Sequence, residues 1–368
     1  MTARLRALAA RWTTLVPVFA VVLLVLTWGR DLPGWAVAIA TLVLAGAVLA
    51  AVHHAEVVAH RVGEPFGSLV LAVAVTVIEV ALIVTLMIDG GDKSATLARD
   101  TVFAAVMITV NGILGLSLLT GSLRHGTAVF NSEGTGAALA TVATLATLSL
   151  VLPTFTTSKP GPEFSTVQLT FAAVSSLILY ALFVATQTVG HRDYFLPIVE
   201  TERGTPLRRG GARRGALHPH RHDQPRTAGS GPDRSGGAGQ GVSPTIESGV
   251  DAAGLPHSVV GVIIALLVLL PETIAAVRAS RRNQVQTSMN LALGSAMASI
   301  GLTIPAVALA SLWLPGPLVL GLSNTHMVLL ALTMVVGALT VVPGRATPLQ
   351  GGVHLVLLAA YLELALNP

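Results

Sequence analysis

The chain has 368 residues, 52% of them hydrophobic and 11% charged, a balance that excludes an ordinary soluble domain and indicates a multi-span membrane protein. It has no cysteine, which excludes disulfides, thiol chemistry and thiolate metal sites. Its net charge of +4 is uneven: residues 201–243 hold eight Arg against three acids, and the rest holds 14 Lys and Arg against 15 acids, so the basicity argues for no nucleic-acid partner.

Arg4, Arg6 and Arg11 precede a first predicted span over about residues 13–28, which reads as a retained span and not a cleaved signal peptide. A second follows over about 35–52, then a polar connector, 53–65. The third, GSLVLAVAVTVIEVALIVTLMI (67–88), is long enough to cross a bilayer, which takes about 20 apolar residues. Glu79 is its only ionisable group within the apolar run, near mid-depth. Further spans are expected over about 101–121 and 136–157, and over about 165–189. A basic stretch, 190–243, comes next. The seventh visible span, VVGVIIALLVLLPETIAAV (259–277), has Glu272 as its one acid. Three more lie at about 286–313, 324–343 and 351–366, making ten visible spans. The fold class is an all-α, multi-pass transmembrane helical bundle.

Aligning the two glutamate spans brings out an internal repeat. Glu56-x6-Gly63-x-Pro65 precedes the first, and Glu247-x6-Gly254-x-Pro256 precedes the second. The next span contains Asn111-x3-Gly115 in one half and Asn290-x3-Gly294 in the other. Four features in one order indicate duplication, as transporters often show. The positive-inside rule, with a cytoplasmic N-terminus and 201–243 not counted, then tests the topology. If that segment does not cross, six Lys and Arg fall inside and eight outside; if it crosses, ten fall inside and four outside. A crossing also makes eleven spans and two five-span halves, the second inverted. The expected organisation is therefore an N-terminal arm and first span (1–34), a first repeat (35–189), the basic segment (190–243) and a second repeat (244–368).

The segment as written does not supply that crossing. Residues 201–243 contain ten Gly, four Pro and eight Arg, with Leu207, Leu217 and Val242 as the only large aliphatics. It reads as disordered, and as out-of-frame sequence standing where an apolar helix belongs. A genuine cytoplasmic regulatory loop is the other reading. His218, His220 and His222 are weak metal candidates there.

A lone carboxylate at mid-membrane depth costs roughly 2.5–3.5 kcal/mol on insertion scales and marks a functional site. Glu79 and Glu272 read as a shared cation site at the midplane, against the alternative of two protonated structural donors. Ca²⁺ takes about 6–8 oxygen ligands, and two carboxylates offer at most four. Asn111, Asn290, Thr76 and Ser295 are the nearest polar candidates for the rest. Thr76 shares a helix face with Glu79. Pro271 has no amide hydrogen, so it frees the carbonyl of Leu267 as a further ligand. Helix packing explains Asn and Ser about as well as coordination does. With the site empty, burial and mutual repulsion disfavour two charged carboxylates, so protons occupy them; a bound divalent cation reverses that preference. Exchange follows if only occupied forms switch sides.

The runs HHAEVVAHRVGEPFGSLVLAVAVTVIEVALIV and VVGVIIALLVLLPETIAAVRASRRNQVQTSMNLALGSAMASIGLTIPAV resemble the two α-repeats of the cation/Ca²⁺ exchanger superfamily, in its bacterial calcium/proton antiporter branch. The resemblance covers nearly all of the chain outside about 200–242. It implies an eleven-span fold, an intramembrane site on Glu79 and Glu272, and exchange of Ca²⁺, or of Na⁺ or K⁺, for H⁺. It implies no cofactor and no catalytic residue; the partners are the lipid bilayer and the transported cations, in the cell (inner) membrane, with the oligomeric state open.

Other features weigh less. Glu56 and His60 lie one turn apart in the connector and are not part of an HExxH pattern, so a zinc protease is not indicated. Asp89, Asp92, Asp100 and Glu163, with Glu247 and Asp251, are expected as outer-side loop acids. Thr135, Thr141, Thr144 and Thr147 read as helix contacts. Glu133, His326, His354 and Glu363 receive no role. Competing readings are a Na⁺ or K⁺/H⁺ antiporter on the same site, a cation channel with a carboxylate constriction, and an inactive product of a frameshifted gene. No Ser–Lys, HExxH or paired-Asp pattern points to an enzyme.

Overall fold

The structure, a computed structural model, describes residues 12–27, 34–62, 66–90, 95–197, 256, 258–314 and 316–368. Within them the chain forms ten long helices: α1 (Trp12–Thr27), α2 (Gly34–Val62), α3 (Phe66–Gly90), α4 (Leu97–His125), α5 (Ser132–Phe155), α6 (Thr166–Gly190), α7 (Ser258–Arg281), α8 (Val285–Ala310), α9 (Asn324–Val341) and α10 (Pro348–Leu366). They stand where the ten spans are expected. The eight from α3 to α10 contain stretches long and apolar enough to cross a membrane. Helix is the natural answer for such runs, because lipid offers no partner to a free backbone group.

The starts are set by local chemistry. The Asn131 side chain accepts from the amides of Glu133 and Gly134 at the head of α5. Ser165 and Gln168 close a capping box on α6, and Thr347 and Gln350 close another on α10. Pro348 sits in the first turn of α10, where a missing amide hydrogen costs nothing.

Two expectations change. Residues 53–62 of the polar connector are helical: α2 runs on through them to Val62. His54 in that extension reaches the Thr13 carbonyl at 3.2 Å, which ties α2 to α1. Asp100 and Glu163 are also not solvated loop acids. Asp100 lies in the first turn of α4, buried, paired with the Arg99 guanidinium at 2.8 Å and accepting from the Thr96 hydroxyl at 2.9 Å. Glu163 is paired with Lys159. The segment 201–243, its histidines, Asp92, Glu247, Asp251 and most of the two Glu-x6-Gly-x-Pro motifs lie outside the described residues, as do the side chains of Glu56, His60 and Asp89.

Helix α4 is the centre of the described fold. Its most apolar window is 89% buried, against 22% for α6. It packs on α7, α8 and α10. Helix association inside a membrane relies on close packing through small residues. At Gly351 of α10 a Cβ would come within 2.6 Å of the Leu119 amide nitrogen and 2.9 Å of the Gly115 carbonyl, so α4 and α10 touch backbone to backbone there. A short antiparallel pair, β1 (Ala128–Val129) with β2 (Arg345–Ala346), joins the loops after α4 and α9. Three π-helical turns among the described residues, Ile108–Ile113 in α4, Thr147–Val151 in α5 and Thr186–Gly190 at the end of α6, depart from the regular ladder. Such turns recur near functional sites.

The Gly351 contact gives a test with an internal control. Gly351→Ala should destabilise the folded protein by about 1–3 kcal/mol, because both neighbours are backbone atoms that move only with their helix. Gly352→Ala, which meets open space, should be neutral or slightly stabilising. Thermal unfolding of the two variants in detergent checks the contrast.

Candidate cation site

The polar centre is built from three helices. Glu79 of α3 and Glu272 of α7 are both buried, with 2% and 1% of their surface exposed. Neither carboxyl is bare. The Ser299 hydroxyl donates to Glu79 Oε1 at 2.6 Å, and the Ser295 hydroxyl donates to Glu272 Oε2 at 2.5 Å. Both serines belong to α8 and stand four residues apart. Residues so spaced share one helix face, roughly 5–6 Å apart at Cβ. The two carboxyls are therefore brought to successive turns of one face of α8.

The packing repeats this crossing at the level of helices. Each glutamate helix rests on the asparagine-bearing helix of the other half: α3 on α8, and α7 on α4. Apolar side chains of α3 and α7 (Leu71, Val75 and Leu86 with Val260, Ile264 and Val268) pack into one cluster beside the acids.

The remaining expected residues divide. Thr76 is buried one turn before Glu79; its hydroxyl donates to the Ala72 carbonyl at 2.9 Å, so its oxygen lone pairs stay on that face. Pro271 lies inside helix α7 and has no amide hydrogen for the Leu267 carbonyl. Asn290 joins Glu272 and Ser295 around a cavity of about 20 Å³ between α3, α6, α7 and α8. Tyr180 and Gln187 of α6 complete its polar lining. The Asn290 side chain is held from both ends: its amide nitrogen donates to the Phe195 carbonyl at 2.6 Å, and its oxygen accepts from Gln286 at 2.9 Å.

Asn111, also expected near the two acids, is placed elsewhere. It lies fully buried in the π-turn of α4 and does not line the cavity. Its amide nitrogen donates to Thr333 of α9 at 2.9 Å, and its oxygen faces Nδ1 of His354 of α10 at 3.0 Å. Nε2 of that ring meets the Thr340 hydroxyl at 3.1 Å. The amide oxygen is an acceptor only, so the His354 ring donates to it through Nδ1, and Nε2 shares the second hydrogen bond with the Thr340 hydroxyl. Both amide atoms of Asn111 are thus used in tying α4 to α9 and α10. His354, which the sequence leaves without a role, closes that network. Ser299 was also missed. Its one available signal is its position, one turn beyond Ser295 on the same helix.

A family model described as sodium/calcium exchanger protein matches residues 32–189 and 236–367. The chain belongs to that family. The two matched stretches contain both glutamate helices and leave out most of the basic segment. The chain is 43% identical to y4hA of Sinorhizobium fredii, over 97% of its own length and 96% of that protein. It is 34% identical to the sodium-potassium/proton antiporter ChaA of Escherichia coli, over 94% and 93%. In fold it is similar to the Ca²⁺/H⁺ antiporter protein YfkE, with a TM-score of 0.66 at 15% identity, covering 97% of this chain and 99% of that one. The protein is a transmembrane cation exchanger of the antiporter type.

The two polar clusters predict different losses. Ser299→Ala removes the hydroxyl that holds Glu79 and should lower stability by about 1–3 kcal/mol, with most of it restored by Ser299→Thr. Asn111→Ala strands His354 and Thr333 and should cost a similar amount while leaving cation affinity unchanged. Thermal unfolding in detergent and calorimetric cation titration separate the two.

Proposed function

We propose that the chain exchanges Ca²⁺ for H⁺ through one site built on Glu79 and Glu272. The reading rests on one observation: both membrane-buried acids are presented to successive turns of one face of α8. Two carboxylates that close together match a divalent cation in charge. With no cation present the same pair is better satisfied by protons, since burial and repulsion both disfavour two charges. Cation and protons then compete for the same oxygens, and exchange follows when the empty, doubly charged site is too costly to change sides. Charge balance gives about two protons per Ca²⁺.

Ser295, Thr76, Asn290 and the Leu267 carbonyl supply further oxygens in this scheme. Residues 35–189 and 244–368 act as two inverted repeats, with the N-terminus in the cytoplasm and the chain in the cell (inner) membrane. The transported ions are the only small molecules the mechanism needs.

A second reading is favoured by the 34% identity to an antiporter named for Na⁺ and K⁺. In that case the same two acids carry a monovalent cation, and a single proton exchanges for it.

Transport in everted vesicles with an imposed pH gradient tests both. Ca²⁺ uptake that collapses the gradient supports the first reading, and uptake of Na⁺ or K⁺ alone supports the second. Glu79→Gln and Glu272→Gln should each reduce exchange to background. Full activity in either variant overturns the two-acid site.

A further inference from the structure

The cavity beside Glu272 is bounded at one end by a short segment that no motif marks. Past Gly190 the chain leaves α6 and makes a single 3-10 turn, Arg192–Phe195. Within 191–196, Phe195 is buried and the other five residues are exposed. The segment thus has an outer side and an inner side. On the inner side it meets the cavity wall twice. The Phe195 ring stands edge to face on Phe183 at 5.6 Å, and the Phe195 carbonyl accepts from the Asn290 amide nitrogen at 2.6 Å. Phe183 and Asn290 both line the cavity. The turn also lies directly on the head of α5: a Cβ on Gly134 would fall 2.4 Å from the Tyr194 carbonyl oxygen. The space it bounds is about 20 Å³, room for about one water, so a cation with its hydration shell enters only if the wall moves.

We propose that residues 191–196 form a lid, with Phe195 as its plug, that swings aside to admit cations to the cavity from the end where α6 stops. The proposal rests on the cation-site reading above. Asn290 is the latch. With the lid shut, its nitrogen is held by the Phe195 carbonyl and its oxygen by Gln286. Opening releases the nitrogen, and the amide is then able to turn its oxygen into the cavity. The chain beyond the far end of α8 is built differently. The amides of Val319, Gly321 and Leu322 donate to the carbonyls of Ala95, Pro162 and Leu150 at 3.0, 3.0 and 2.8 Å. The Thr154 hydroxyl and the Arg99 guanidinium donate to the Leu322 and Gly321 carbonyls. Backbone stitched to several elements opens only when many bonds break together, whereas a turn that meets the core through one ring and one side-chain amide opens locally. The lid end is therefore the one that moves first.

The absence of cysteine from the chain allows a direct test. Gly294 lines the cavity and a Cβ there meets nothing within 4 Å, so Gly294→Cys sets a thiol in the cavity without a clash. Its rate of modification by a charged methanethiosulfonate, in purified protein in detergent, reads how often the lid is open. That rate should be slow with the lid intact. Phe195→Ala should raise it about tenfold, the factor that accompanies loss of one ordinary aromatic contact from a closed state. Gly134→Ala should raise it too, because its methyl and the Tyr194 carbonyl claim the same space. Gly136→Ala, whose Cβ meets Val341 at an ordinary 3.8 Å, should leave the rate unchanged. A thiol placed instead at fully buried Ala104 of α4 by Ala104→Cys should stay slow in every background. Fast modification with the lid intact overturns the proposal. So does an unchanged rate in either assembled lid variant, or a matching rise in Gly136→Ala or at Ala104→Cys. Where Phe195→Ala does not assemble, Gly134→Ala carries the test alone. If the lid variants behave as expected but Ca²⁺, Na⁺ and K⁺ all fail to slow modification of Gly294→Cys, the cation-site reading falls and the lid stands, so the two failures are distinct.

Discussion

Two serine hydroxyls on one helix face organise the polar centre of this protein. Ser295 and Ser299 each donate to a carboxyl that comes from a different helix and a different half of the chain. A buried acid without such a partner is far more costly than one with it. The spacing of the two serines therefore sets where α3 and α7 rest along α8, and with them how close the two acids come. The apolar cluster between α3 and α7 and the crossed packing of each glutamate helix on the other half hold that arrangement in place.

The rest of the described bundle supports the centre from behind. Helix α4 is held on one side by the backbone contact at Gly351 and on another by the chain from Thr333 through Asn111 and His354 to Thr340. Each of the four side chains in that chain is hydrogen-bonded, which is the condition under which a buried polar network fixes geometry. It runs through the π-turn of α4, whose wider backbone carries Asn111.

The two Asn-x3-Gly segments are alike in sequence yet differ in their contacts. Asn111 and Asn290 each open an Asn-x3-Gly pattern on the long helix that follows a glutamate helix. One is locked into a structural network, and the other lines the cavity beside Glu272. What separates them is their neighbours: α9 and α10 bring a threonine and a histidine to Asn111, while Asn290 meets Gln286 and the Phe195 carbonyl. The cavity accordingly lies on the Glu272 side, where α6 supplies Tyr180 and Gln187. Two buried acids thus stand in unlike polar surroundings.

The linear chain was enough to establish the ten described helices, the family resemblance and the two acids. Each of these is a local property: an apolar run of membrane length makes a helix, and a lone glutamate within it has no partner nearby in sequence. The partners of Glu79 and of Asn111, and the Phe195 carbonyl that holds Asn290, belong to the tertiary structure. Ser299 lies 220 residues from Glu79, and His354 lies 243 from Asn111. A hydrogen bond depends on distance and angle in space, and no spacing within one helix encodes a partner on another.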